Sequence, residues 1–144
     1  RIARCAPIAT WLVLCGCADD RRPTFPAGGV VKLPDRSPMP GGWIEFQVSG
    51  DATARTSRAR IQPDGTFRLG TYEEADGAFQ GKHSVMILPP VPPYRNPDRD
   101  RRPAADDSRY PKINPRYREF ATSGLEYTVT NDAAQNRFEI QLEE

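Results

Sequence analysis

From Ala27 onward, apolar and polar residues alternate with period two in short runs, and turn residues separate the runs. That is the pattern of strands buried on one face. Ala27–Leu33 is the first run. After the turn Pro34–Gly42 comes Trp43–Val48, which sets Ile44, Phe46 and Val48 on one face and Glu45 and Gln47 on the other. A weaker run, 54–61, turns Ala59 and Ile61 inward and Arg58 and Arg60 outward. Gln62-Pro63-Asp64-Gly65 then predicts a hairpin, because Asp-Gly readily adopts the positive φ of a tight turn. The return strand, Thr66–Leu69, buries Phe67 and Leu69. Residues 73–80 read as an acidic loop before Lys82–Leu88, the most apolar run and a natural central strand. Leu125–Val129 and Asn136–Leu142 close the series, with a turn over 131–135.

Seven short strands with turns between them predict an all-β chain folded as a seven-stranded antiparallel β-sandwich. The expected core is Val30, Ile44, Phe46, Val48, Phe67, Leu69, Val85, Ile87, Leu125, Tyr127, Val129, Phe138, Ile140 and Leu142. Between the fifth and sixth strands, residues 89–115 carry eight Pro and a mixture of Arg and Asp. Such a stretch buries little surface, and a mobile loop is expected there, with polyproline character at Pro89–Pro93.

The first 17 residues break the pattern. Arg1 and Arg4 precede an apolar run over 5–14, and Cys15-Gly16-Cys17 follows. A basic start, a short apolar stretch and small residues are the layout of a secretory signal, and the stretch is shorter than the roughly 20 residues a membrane span needs. Leu14-Cys15-Gly16-Cys17 resembles a bacterial lipobox, in which the last Cys takes a diacylglycerol and cleavage falls just before it. The resemblance implies lipid attachment at Cys17, with 1–17 a signal peptide. Residues 18–26, polar with Pro23 and Pro26, read as a flexible tether to a domain over 27–144.

Charge and cysteine usage narrow the chemistry. The whole chain has 20 Lys and Arg against 19 Asp and Glu. Without Arg1 and Arg4 the balance moves from +1 to −1, which argues against a nucleic-acid partner. All three Cys lie at or before Cys17 and there is one His, so a Cys/His zinc cluster is excluded.

A family resemblance adds to this picture. Gly29-Val30-Val31 with Pro38–Phe46, the hairpin Ile61–Leu69, and Gly77–Ile87 are similar in order and spacing to carboxypeptidase-regulatory-like domains. His83 stands where that pattern usually has Tyr. Ile113–Tyr117 and Thr122–Val129 resemble the ending seen in short bacterial lipoproteins that carry one such domain. The resemblance implies a transthyretin-like (prealbumin-like) or immunoglobulin-like sandwich with no catalytic residues and no cofactor. On this reading the protein is not an enzyme. It is held to the membrane by its lipid, in the cell envelope, facing the periplasm or the cell surface, with an envelope protein or a glycan as partner.

Four carboxylates, Asp64, Glu73, Glu74 and Asp76, are weak candidates for Ca²⁺ ligands, though their spacing matches no EF-hand and solvated turns explain them. They give an alternative reading, a periplasmic binding module for Ca²⁺ or carbohydrate. A hydrolase ranks last. His83 is expected as a strand residue at the sandwich edge. The Arg95–Arg102 stretch suits an anionic surface only weakly, since its signs alternate, and Pro89–Tyr94 ends a strand more readily than it serves as a polyproline ligand.

Overall fold

The computed structural model describes residues 21–93 and 110–144. The expected signal segment, Cys17 and the middle of the Pro-rich stretch lie outside them. The described chain is all-β, with nine strands in three open sheets: β1 (Thr24–Phe25), β2 (Gly28–Lys32), β3 (Trp43–Val48), β4 (Ser57–Arg60), β5 (Thr66–Arg68), β6 (Ala78–Phe79), β7 (Gly81–Leu88), β8 (Leu125–Val129) and β9 (Arg137–Gln141). One sheet has the order β4-β3-β7-β8, a second β5-β2-β9, and β1 pairs with β6.

The alternation read along the chain is realised most fully in β3 and β7. Ile44 and Phe46 of β3, and Val85 and Ile87 of β7, are fully buried. They meet in antiparallel register, Ile44 opposite Ile87 and Phe46 opposite Val85. The inward faces of the two larger sheets share one core. The ring of Phe46 lies 6.2 Å from Phe67 and 5.7 Å from Phe138 in the facing sheet, and 6.2 Å from Tyr127 in its own. Aromatic rings tilted at these separations gain from edge-to-face contact beyond the area they bury.

Four expectations change. First, β2 and β9 run parallel, Gly28 opposite Arg137 through Lys32 opposite Gln141, so the fold is not purely antiparallel. Period-two alternation assigns faces but carries no information on strand direction. Second, the Asp64-Gly65 turn forms without making a hairpin. Gln62 N–H donates to the Thr66 carbonyl (2.8 Å), yet β4 stays in the four-stranded sheet while β5 joins β2. The turn is a corner between sheets. Third, Val31 is the buried valine and Val30 is half-buried, because adjacent valines leave the inward face undecided until β2 is placed between its neighbours. Val48, Leu125 and Tyr127 are also half-buried, at strand ends or on the edge strand β8. Fourth, Thr24 and Phe25 of the expected tether, and Ala78 and Phe79 of the expected acidic loop, form β1 and β6 and pair with each other.

Irregular segments fill the rest of the core. Met39, Ile113 and Tyr117 are buried there without belonging to any strand. Tyr117 sits in a 3-10 turn, Pro115–Arg118, which Asn114 caps by accepting from Arg116 N–H. Its hydroxyl accepts from Glu143 N–H (3.0 Å) and from the Arg116 guanidinium (2.7 Å), tying the turn to the C-terminal residues. Thus the C-terminal end of the Pro-rich stretch is packed.

Candidate functional site

The site builds outward from β4, the edge strand of the four-stranded sheet. Its alternation buries Ser57 and Ala59 and exposes Arg58 and Arg60. The register with β3 places Trp43 opposite Arg60 and Glu45 opposite Arg58, all on the face away from the core. Trp43 is 44% exposed, one of two large hydrophobic side chains left so open among the described residues. The Arg58 guanidinium lies over its ring, 5.6 Å from the centroid.

The other wall is the segment after β5. Arg58 and Gly70 exchange backbone hydrogen bonds (2.9 and 3.0 Å), which seats residues 70–77 along the free edge of β4. Asp76 shapes this segment. Its Oδ1 accepts from Thr71 N–H (2.6 Å), and its Oδ2 accepts from Tyr72 N–H (3.0 Å) and Glu73 N–H (3.1 Å). Burial pushes its carboxyl pKa up, but the three N–H donors together outweigh that and hold it below the ordinary value. Ser57 and Thr71 share a buried hydrogen bond between hydroxyls (2.6 Å), and Thr71 also donates to the Gly77 carbonyl (2.7 Å). Tyr72 is thereby fixed beside the groove, with the Arg55 guanidinium 5.5 Å from its ring centre.

Between these walls lies an open groove of about 1090 Å³. Four guanidiniums line it, those of Arg55, Arg58, Arg60 and Arg68, together with Trp43, Tyr72 and the carboxylates Glu45, Glu73 and Glu74. Ion pairs elsewhere join Lys32 to Glu139, Lys82 to Glu126 and Arg116 to Glu143. Among the described residues none of the four groove arginines has such a partner within 4 Å. Guanidiniums with no carboxylate within 4 Å, two of them (Arg55 and Arg58) beside aromatic rings, are ready to pair with an incoming acid.

The sequence-level candidates are dispersed. Asp64 Oδ1 takes the N–H (3.0 Å) and hydroxyl (2.6 Å) of Thr66, closing its own turn, and these bonds lower its pKa. Asp76 is occupied as described, and Glu73 and Glu74 border the groove. No three His, Cys, Asp or Glu side chains gather for a metal among the described residues. The Ca²⁺ set therefore does not converge on one point, because each Asp completes a local turn.

His83 is not at the sandwich edge. It lies in β7 between β3 and β8, fully buried and facing the core, with its ring 5.9 Å from Phe46. Nδ1 bonds the Gly81 carbonyl (2.9 Å), so Nε2 carries the bare lone pair, and it has no partner among the described residues. Burial depresses its pKa below the ordinary 6.5 by disfavouring the imidazolium. The imidazole thus faces the opposite side of the sheet from the groove.

The alternation already showed Arg58 and Arg60 pointing outward. It showed the same for Arg68, between inward Phe67 and Leu69, but Arg55 and Tyr72 gave no such signal, because both lie outside the strands, before β4 and after β5. No protein-family model, curated protein or solved structure matches the chain.

Proposed function

We propose that this protein is a lipid-anchored component of the bacterial cell envelope, and that its β-sandwich, of the transthyretin-like kind, acts by binding and not by catalysis. The observation that carries the binding role is the groove itself. It holds two aromatic rings and four guanidiniums with no carboxylate within 4 Å among the described residues, set on a face whose backbone is locked by β4, the Gly70 bridge and Asp76. Surface arginines on a sheet gain little by themselves, and holding them beside aromatic rings costs side-chain freedom that a ligand would repay. The non-catalytic reading is supported by the position of the one imidazole, which is in the core and out of reach of anything in the groove.

Anchoring rests on Leu14-Cys15-Gly16-Cys17. Several acyl chains on one residue give stable membrane attachment, at about 0.8 kcal/mol per buried CH₂. The test is fractionation of cells producing the wild-type chain and Cys17→Ala. The wild type should sediment with membranes and take up labelled palmitate, and Cys17→Ala should do neither. If Cys17→Ala stays on the membrane and is processed as before, the anchoring half of the reading is lost.

The carbohydrate half of the second reading, a periplasmic binding module, gains support at a different place. Asp64 and Asp76 are spent on turns, but Trp43 and Tyr72 stand beside planar polar side chains that suit sugar hydroxyls.

A further inference from the structure

We infer that the groove over β3, β4 and residues 70–75 is a binding site for an acidic glycan, a polysaccharide whose sugar rings carry carboxylates. The inference rests on the reading that this groove is the binding surface, and it adds the class of ligand.

Three observations select that class. The first is the apolar platform. Trp43 is nearly half exposed at the start of β3, with the Arg58 guanidinium over its ring, and it carries the platform, because the Tyr72 ring across the groove is already flanked by Phe79 and the Arg21 and Arg55 guanidiniums. An indole ring offers a flat apolar surface that the C–H face of a pyranose can cover, while its polar edge stays wet. The second is the supply of acid partners. Arg58 and Arg60 stand two residues apart on one face of β4, a repeat of about 6.6 Å along the strand. Their forks match carboxylates in bidentate geometry. The third is the limit on charge. Three carboxylates, Glu45, Glu73 and Glu74, share the groove with four arginines, so it is positive by about one charge. A ligand with a phosphate on every unit would meet those carboxylates and gain little from counterion release. A uronate-bearing glycan also brings hydroxyls that can donate to those carboxylates, while its planar carboxylates fit the guanidinium forks.

Charged residues on an edge strand also discourage pairing with a second sheet. That accounts for Arg58 and Arg60 on β4. It does not account for an exposed Trp beside them, or for Tyr72 on a segment locked across from them with Arg55 beside its ring.

The experiment uses the full chain purified in neutral detergent, titrated calorimetrically with polygalacturonate, with dextran as a neutral glycan, and with single-stranded oligothymidylate. Polygalacturonate should bind about tenfold more tightly than dextran and more tightly than oligothymidylate. Trp43→Ala should weaken it about tenfold. Arg58→Gln with Arg60→Gln should weaken it at least as much and reduce its salt dependence. Lys82→Gln, which breaks a surface ion pair at the far side of the same sheet, should leave it unchanged. Equal urea midpoints for the variants would show that folding is intact, and the arginine pair serves independently if Trp43→Ala unfolds. Tighter binding of oligothymidylate or dextran, lost in the groove variants, would overturn the acidic-glycan inference and leave the groove reading standing. If no probe binds, or if binding ignores every groove variant, the inference and the groove reading fall together.

Discussion

A buried histidine with one satisfied nitrogen makes stability depend on pH. His83 is neutral in the folded chain, its pKa lowered by burial, although the Gly81 carbonyl pulls the other way. The unfolded chain takes up a proton near pH 6.5 and the folded chain resists until lower pH. Stability is therefore complete above 6.5 and falls as pH drops below it, until the folded imidazole also titrates. The urea midpoint should decline through this window in the wild type, and His83→Gln should remove that component; an unchanged slope in the variant would count against it. Asp76 acts in the same direction at lower pH, since its folded pKa lies below its ordinary 3.8. Its contribution is present above that value and lost as pH falls through the folded pKa. Asp76→Ala should cost about 1–3 kcal/mol, because three backbone N–H groups lose their acceptor. It should also weaken any ligand that needs Tyr72, whereas a purely structural loss would leave binding intact once refolding is complete. At this scale the sequence showed that His83 lies in a strand. Its parity with Val85 and Ile87 put it on the inward face; what the sequence did not show is that β3 and β8 flank it and bury it completely.

At the scale of elements, the informative piece is the corner after β4. Asp64-Gly65 announces a turn, and the turn is there, with Gly65 at φ +81°. A Cβ at Gly65 would come within 2.8 Å of the Val31 carbonyl oxygen, whereas at Gly50, also at φ +81°, it would meet nothing within 4 Å. Gly50→Ala should therefore cost only the left-handed strain, about 1–2 kcal/mol. Gly65→Ala should cost more, since the corner must also shift away from β2. Equal losses in urea denaturation would mean that the approach to Val31 carries no weight. Gly29 is a related case: a side chain there would strike the backbone of Phe138 in β9. Glycines at these places are visible in the sequence, but the strand each one approaches is not: β2 lies some thirty residues before Gly65, and β9 more than a hundred after Gly29. The same gap explains the parallel pairing of β2 with β9.

Over the whole molecule, two sheets depend on one aromatic cluster. Phe46 contacts rings from both, so Phe46→Ala should destabilise the entire fold by about 3–5 kcal/mol. Trp43 fluorescence, reporting on the four-stranded sheet, and far-ultraviolet dichroism should lose signal in a single shared transition. Separate midpoints would contradict a common core. The sequence by itself determined the all-β class, the positions of most strands, the inward faces of β3, β4, β7 and β9, and the turn at Asp64-Gly65. These follow from local physics: the two-residue period of a strand and the backbone freedom of Gly need no knowledge of distant partners. The tertiary structure alone decided which strands neighbour each other, which of two adjacent valines is buried, and that His83 sits between β3 and β8 and not at the edge. It also assembled the groove, which exists only because β5 crosses to the second sheet while Gly70 returns to β4. Pairing across sheets is settled by closing one shared core, a global condition that no local window of residues contains.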